Sequence, residues 1–273
     1  MKDLKSFNLF GNLKLWQKLT LITVLTGATI PFITWQLVKA KSKDIHFGQK
    51  EIYGTDFLPP LRKLHEQVAR HRDLVNRLLR GDNSVKDSLA SAENAIGNAF
   101  LALSDVDNKT VEGTTYGLLL ESSDKANALK REWDVVRTKS LNTNNPQEAF
   151  DQHNHLMSSI QDLIIHVGDK SNLILDPDLD TYYLMDAVIV HLPNATDAVG
   201  QIRALMTGAL ASKAITPQEQ FLLNFQMARA QTTLSNIEAG MRKAFDANAA
   251  NGGDLSGKQL QALSDAIRET RAF

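Results

Sequence analysis

Hydrophobic residues follow two patterns along this chain, and the first is a single uninterrupted apolar run near the N-terminus. Residues 19–38 contain no charged side chain, and a lysine closes the run at each end, Lys18 and Lys39. At the rise of an α-helix such a run covers roughly 30 Å, which is the hydrocarbon thickness of a bilayer. The pattern therefore predicts a membrane-spanning helix at 19–38 behind a basic leader at 1–18.

A cleaved signal peptide is the alternative interpretation of this N-terminal stretch. The apolar run is longer than the hydrophobic region of a signal peptide, and no A-x-A cleavage site follows it between Trp35 and Lys41. An uncleaved anchor is therefore favoured. The basic leader favours a cytoplasmic N-terminus, so residues 39–273 are expected outside the cytoplasm.

After the anchor, apolar residues recur at alternating intervals of three and four, which is the spacing of packed helices. The first such seam consists of Phe57, Leu61, Leu64, Val68, His71, Val75 and Leu78. Comparable seams follow near residues 85–106, 126–136, 150–174, 184–209 and 223–244. Short turns between them indicate antiparallel neighbours. We predict an all-α fold: an N-terminal transmembrane helix followed by an extended antiparallel helical bundle, organised as two stacked or overlapping four-helix-type modules.

Prolines and aspartates predict where several of these helices begin or bend. The adjacent prolines at 59–60 predict that the first rod is kinked or restarted, with Asp56 as its N-cap. Asp176 is predicted to cap the fifth helix, with Pro177 at its first helical position. Pro193 is predicted to bend that same helix.

Composition excludes several classes of protein. The 273 residues carry a formal net charge of -1, so no basic excess favours nucleic acid as a partner. The absence of cysteine excludes disulfides and thiol catalysis. No catalytic, phosphate-binding or zinc-protease motif is present, so we expect neither an enzyme nor a cofactor within these residues. A seventh helix predicted at 255–273 has no closing signal, which indicates a C-terminally incomplete domain.

Three histidines occupy seam positions of three different helices, namely His71, His153 and His191. A three-histidine metal site is conceivable, but no i, i+4 pairing supports it. Histidines that are buried and hydrogen-bonded in the bundle are therefore favoured, and no metal is predicted.

Arginines are concentrated between residues 62 and 80, in a chain that is otherwise nearly neutral. Because guanidinium groups suit carboxylates and phosphates, we predict that Arg72, together with Arg77 and His71, faces an anionic ligand. A solvated helix face with ion pairs is the alternative. A second group of candidate ligand-binding residues, for which core packing and capping are the alternative, comprises Tyr182, Tyr183 and Asp186.

Several segments resemble the periplasmic sensor regions of bacterial transmembrane receptors. They are Glu51 to Gly54, Leu58-Pro59-Pro60-Leu61, His71-Arg72 and, most specifically, the stretch Asn172 to Asp186 with the sequence NLILDPDLDTYYLMD. Such regions, of the helical bimodular type, occur in methyl-accepting chemotaxis proteins, sensor histidine kinases and diguanylate cyclases. The sequence contains no second membrane span, HAMP linker or output domain. The resemblance covers roughly residues 1–210 and implies signal input.

We therefore expect the signal-input region of a chemoreceptor in the bacterial inner membrane, with residues 39–273 in the periplasm. The expected partners are a second copy in a homodimer and a small-molecule ligand, for which the arginines favour an anion. An input domain of a histidine kinase or a diguanylate cyclase is the first alternative. A membrane-tethered helical scaffold that senses nothing is the second.

Overall fold

The all-α prediction is confirmed: the chain is 88% helical and 2% strand. The computed structural model describes residues 13–175 and 177–253, together with 261–262, 265–266 and 268–269. The helices are α1 (Leu15–Leu79), α2 (Lys86–Asp107), α3 (Tyr116–Leu119), α4 (Ser123–Asn142), α5 (Pro146–Lys170), α6 (Leu179–Asp186), α7 (Leu192–Ser212) and α8 (Pro217–Ala250). Most of the predicted seventh helix, most of the leader and Asp176 lie outside the described residues.

The chain divides into two compact units, Met1–Gln49 and Lys50–Phe273. In the first unit, the predicted span at 19–38 is helical, and every side chain in it is exposed. Helix α1 contains a window with a mean hydropathy of 1.6, and it is the one helix in the described part of the chain that is long and apolar enough to cross a membrane. An exposed apolar surface of this length is consistent with membrane association.

Helix α1 passes through Pro59 and Pro60 without interruption, so a restart of the helix at this point is wrong, and the kink named as its alternative stays a prediction. Asp56 does not cap a helix; it lies within α1, and its carboxylate is 2.9 Å from the Lys109 ammonium. The prolines remove two backbone hydrogen bonds. The Phe57 side chain of the same stretch is fully buried in the core. Burial of such a side chain contributes roughly 1.5–3 kcal/mol, which offsets part of that loss.

The main apolar core of the second unit joins α1 to α2, α4 and α5. The predicted seams supply it, with Leu64 from α1, Ile96 from α2, Trp133 from α4 and Ile160 from α5 all at most 3% exposed. A turn and the 3₁₀ turn Asn83–Val85 connect α1 to α2. The hydrophobic spacing in the sequence therefore identified the inward face of each of these helices correctly.

A two-stranded hairpin was not predicted. Strands β1 (Thr110–Val111) and β2 (Thr114–Thr115) pair antiparallel where the sequence indicated only a break between helices. Glu112 and Gly113 connect them with φ values of +48° and +82°. Positive φ at both central residues is typical of the tightest hairpin turns.

The fifth predicted helix begins at Leu179, two residues later than the sequence indicated, with Asp178 at its N-cap position. The expected start at Pro177 is wrong because the Asp178 backbone is extended, with φ −86° and ψ 126°, so the helix begins only after it. Pro193 lies in the first turn of α7, and the bend predicted at this proline stays a prediction. A π-helical turn, Ala187–His191, directly precedes α7 and separates it from α6.

Helix α8 begins as predicted, with Pro217 at its first position. The Thr216 hydroxyl accepts a hydrogen bond from the Glu219 backbone N–H at 3.2 Å, and the Glu219 carboxylate accepts one from the Thr216 N–H at 2.8 Å. This reciprocal capping box satisfies donors that a helix start otherwise leaves unpaired. The described part of α8 packs against α6 and α7.

Candidate functional site

Helix α1 meets α7 through polar side chains, and it contributes apolar side chains to the main core that it shares with α2, α4 and α5. Two glycines of α7 make this close approach possible. A Cβ atom at Gly200 would lie 3.1 Å from the Arg72 guanidinium, and one at Gly208 would lie 2.5 Å from the Asn76 amide. Any larger residue at Gly208 would collide with the amide that donates to the Ala204 carbonyl at 2.7 Å.

Arg72 lies at the centre of this polar interface and is fully buried. Its Nη1 donates to Asn154 Oδ1 at 2.7 Å and to Asp197 Oδ1 at 2.9 Å. The guanidinium carbon lies 5.3 Å from the centre of the Phe150 ring. Burial lowers the pKa of Arg72, and the Asp197 carboxylate opposes this by stabilising the charge. Helices α1, α5 and α7 therefore meet at one ion pair.

Asp197 also connects this ion pair to α8. Its Oδ2 accepts from Gln201 Nε2 at 2.8 Å and lies 3.3 Å from Arg229 Nη1. Burial alone would raise the pKa of Asp197, but Arg72 and Gln201 keep it below its ordinary value, so the carboxylate is charged. Arg229 Nη2 continues the network to Asn194 Oδ1 at 2.7 Å.

Two of the three seam histidines form a buried pair. His153 Nδ1 lies 2.6 Å from the Ala149 carbonyl oxygen, which requires a donor, so its Nε2 accepts from His71 Nδ1 at 2.8 Å. Burial lowers the pKa of His71 and that of His153, the latter to about 3, so both rings are neutral at pH 7. The prediction of buried, hydrogen-bonded histidines is thus confirmed for these two.

His191 does not join them; its Nε2 lies 3.2 Å from the Asp186 carboxylate at the end of α6. Among the described residues, no group of three or more His, Cys, Asp or Glu side chains could hold a metal ion. The arrangement therefore gives no support to the three-histidine alternative.

A cavity of about 370 Å³ lies between α1, α5, the π-helical turn and the start of α7. Its size is near the lower end of small-molecule pockets. Its apolar walls are formed by Leu58, Pro59, Ile164, Val188, Leu192 and Pro193. Its polar lining is formed by Thr55, Arg62, His65, Glu66 and Thr196.

The polar groups of this cavity differ in their freedom to bind a ligand. His65 is 3% exposed, and its Nε2 lies 3.2 Å from Gln161 Nε2, which must donate. Burial lowers the pKa of His65 to about 4, against the opposing effect of Asp197, so the ring is neutral at pH 7. The Glu66 carboxylate lies 3.1 Å from the Lys63 ammonium. Arg62 is exposed, and within the described part of the chain its guanidinium has no ion-pair or hydrogen-bond partner.

The six residues predicted as a ligand site do not form one site, and none of them lines this cavity. His71 and Arg72 are buried in the interfaces described above. Arg77 donates to Asp82 at 2.7 Å and holds the turn after α1. The Tyr182 and Tyr183 rings contact each other edge to face at 5.2 Å, and the Tyr183 hydroxyl lies 3.2 Å from the Lys243 ammonium. Asp186, the sixth residue, pairs with a histidine as described above.

Two functional groups were missed by sequence reasoning. They are His65 and Asp197. Each contacts a partner that is distant in sequence, Gln161 for His65 and Arg72 for Asp197, and neither belongs to a recognisable sequence motif. Arg62 was predicted only as one member of the arginine-rich stretch. The helical periodicity of that stretch could have distinguished the exposed Arg62 from the buried Arg72.

Comparisons with known proteins give no match to this chain. No protein-family model matches it, and neither a curated protein nor a solved structure shows significant similarity to it. The function is therefore inferred from the chain's own residues and their geometry.

Proposed function

We propose that this chain is the signal-input region of a bacterial transmembrane chemoreceptor, of the methyl-accepting type. Residues 19–38 anchor it in the inner membrane with the N-terminus in the cytoplasm, and residues 39–273 form the periplasmic sensor. The observation that carries the proposal is that one continuous helix, α1, contains both the membrane-length apolar run and the polar wall of the cavity. A ligand in the cavity would therefore contact the helix that enters the membrane.

The anchoring role is supported by the chemistry of the apolar run. Thr20, Thr23 and Thr34 donate their hydroxyl hydrogens to backbone carbonyls four residues earlier at 2.8–2.9 Å, so these groups need no water. Trp16 and Trp35, exposed to 63% and 57%, stand near the two ends of the run. Tryptophan is typical of both membrane–water interfaces.

The sensing role is supported by the difference between the two faces of α1. Its apolar face packs in the core, whereas its polar face meets α7 through hydrogen bonds and the buried Arg72–Asp197 ion pair. The cavity wall includes the π-helical turn Ala187–His191, and such turns are frequent at functional sites. Ligand binding would move α7 against α1 by an ångström or two, a shift that packed helices can transmit.

The bundle is proposed to contain two overlapping four-helix modules. One consists of α1, α2, α4 and α5, which share the main apolar core. The other consists of α1, α5, α7 and α8, which the network around Arg72 and a smaller cluster around Phe150 connect. Sharing α1 and α5 would couple a change in either module to the other.

A homodimer is supported by an exposed seam on α7. Intervals of four and three residues separate the exposed side chains of Val199, Arg203, Met206 and Leu210. Such alternation is the pattern by which two helices pack together, and Leu210 is 75% exposed. A second copy of the chain is the occupant that this proposal assigns to the seam.

The same input domain on a histidine kinase or a diguanylate cyclase is the closest alternative, and a scaffold that senses nothing is the alternative from another class. The full chain in lipid nanodiscs, screened by thermal shift against a broad panel of small metabolites, tests sensing. We expect at least one compound to raise the melting temperature, since a ligand that binds only the folded state stabilises it.

The matched variants of this test are Thr196→Trp, which fills the cavity, and Thr232→Trp on α8. Both threonines are exposed and donate to the carbonyl four residues earlier, at 2.8 and 3.0 Å. The stabilisation should vanish in the first variant and persist in the second. A panel without any stabilising compound, or an equal response in both variants, would favour the scaffold.

A further inference from the structure

Three prolines, two of them in the cavity wall and one beside it, leave backbone carbonyls without their usual donors. Pro59 and Pro60 have no N–H, so neither the α-helical nor the π-helical donor for the Thr55 carbonyl exists. On the opposite wall, the Leu192 N–H donates to the Ala187 carbonyl. Pro193 has no N–H, so it cannot donate to the Val188 carbonyl. Residues that are four apart share a helix face, and both Thr55 and Val188 line the cavity. Two residues of the cavity lining therefore carry backbone carbonyls that lack their usual helical donors.

The cavity lining contains one charged side chain of each sign. Arg62 contributes one cation without a partner, and Glu66 contributes one anion that also pairs with Lys63. The third titratable group, His65, is neutral, as shown above. A ligand that is neutral overall but carries both charges complements the two signs of this lining better than a multiply charged anion does, because an anion would be repelled by Glu66.

We propose that this cavity binds an apolar α-amino acid as its zwitterion, which deepens the sensing role and rests on it. The ligand carboxylate pairs with the Arg62 guanidinium at the mouth. The ligand ammonium donates to the carbonyls of Thr55 and Val188. The ligand side chain packs against Leu58 and Ile164. The volume of about 370 Å³ suits a molecule of this size.

The buried Arg72 is a weaker anchor for a ligand carboxylate, although the sequence favoured it. Its Nη1 already donates to Asn154 and Asp197, and its remaining nitrogens are fully buried. Arg72 does not line the cavity, whereas Arg62 does. The carboxylate is therefore assigned to the exposed arginine, which can be reached without opening the bundle.

Titration calorimetry of the full chain in lipid nanodiscs tests the inference with valine, isoleucine, leucine, methionine and phenylalanine. The tightest binder is then compared with its amide, which lacks the carboxylate, and with the matching acid, which lacks the ammonium. We expect each truncated ligand to bind at least about tenfold more weakly, since each loses a charge-assisted hydrogen bond.

Arg62→Gln and Arg70→Gln form a matched pair, since both arginines are exposed on α1 and only Arg62 lines the cavity. Arg62→Gln should weaken binding of the amino acid about tenfold, leave binding of its amide unchanged and leave the melting temperature unchanged. Arg70→Gln should change none of these values.

Other results would overturn the inference without deciding the sensing role. Equal affinity for the acid or the amide would exclude recognition of a zwitterion. Equal effects of the two arginine variants would exclude Arg62 as the carboxylate partner. If none of the five amino acids bound, the ligand class would be wrong, and the metabolite panel with Thr196→Trp would still decide whether the chain is a sensor.

Discussion

At the residue scale, the Arg72–Asp197 ion pair is the most consequential contact in the second unit. It joins residues 125 positions apart in sequence, and both side chains are almost completely buried. Removing one partner of such a pair leaves an uncompensated charge in the interior, which is much more costly than removing both. The pair therefore specifies how α7 lies against α1.

A double-mutant cycle measures this effect. Arg72→Met should lower the free energy of unfolding by about 3 kcal/mol or more, because Asp197 keeps its charge without its main partner. Arg72→Met combined with Asp197→Asn should lose less than the sum of the two single variants. Urea unfolding of the full chain in detergent gives these values, and strict additivity would contradict the assigned role.

The buried histidines predict a loss of stability in acid. His65 and His153 have pKa values of about 4 and about 3 in the folded chain, below the ordinary histidine value. Between those values and about 6.5 the unfolded chain therefore binds more protons than the folded chain, so stability falls as the pH falls. Each histidine should contribute about 1.4 kcal/mol per pH unit within that window.

His65→Gln tests this dependence, because a glutamine oxygen can still accept from Gln161. We expect the change in unfolding free energy between pH 6.5 and 5 to be smaller in this variant by the contribution of one histidine. His46→Gln, at an exposed position, is the control and should keep the full change. An unaltered dependence in His65→Gln would show that this imidazole is not excluded from protonation by folding.

At the scale of the elements, the sequence predicted the helices well and their long-range contacts poorly. Local periodicity identifies a buried face, so the seams through Leu64, Ile96 and Ile160 were recognised. Tertiary packing overrode a strong local signal at Pro59 and Pro60, where α1 continues. The Arg72–Asp197 pair and the cavity depend on contacts between distant segments, which no local spacing encodes.

The continuity of α1 through two prolines predicts an opposition between stability and binding. Pro59→Ala should raise the free energy of unfolding by about 1–3 kcal/mol, because it restores a helical N–H at an exposed position where little packing is lost. It should also weaken ligand binding, because the Thr55 carbonyl regains its donor.

Pro60→Ala is the control for this prediction. Pro60 is buried, so the substitution also removes packing, and the gain in stability should be smaller. Chemical unfolding and calorimetry on the same samples give both quantities. A Pro59→Ala variant that is no more stable than the parent would mean that the proline costs α1 nothing.

At the scale of the whole molecule, the α7 seam predicts a dimer that charge can disrupt. Met206→Lys combined with Leu210→Lys places two cations on adjacent turns of the exposed seam, where two copies would meet. Sedimentation of the full chain in detergent should show a dimer for the parent and a monomer for this variant. Leu101→Lys, at another exposed apolar position on α2, should remain dimeric, and a parent that is monomeric would contradict the assignment.

The π-helical turn at Ala187–His191 has a consequence for how the chain tolerates changes in length. A π-helical turn holds one residue more than an α-helical turn, so this segment carries a surplus residue that can be lost without shifting either neighbour. Deleting Val190 should therefore lower the melting temperature less than deleting the fully buried Ala198 of α7. Among related sequences that differ from this one by a single inserted or deleted residue, we expect the difference to lie in this turn. The helices on either side would then keep their contacts.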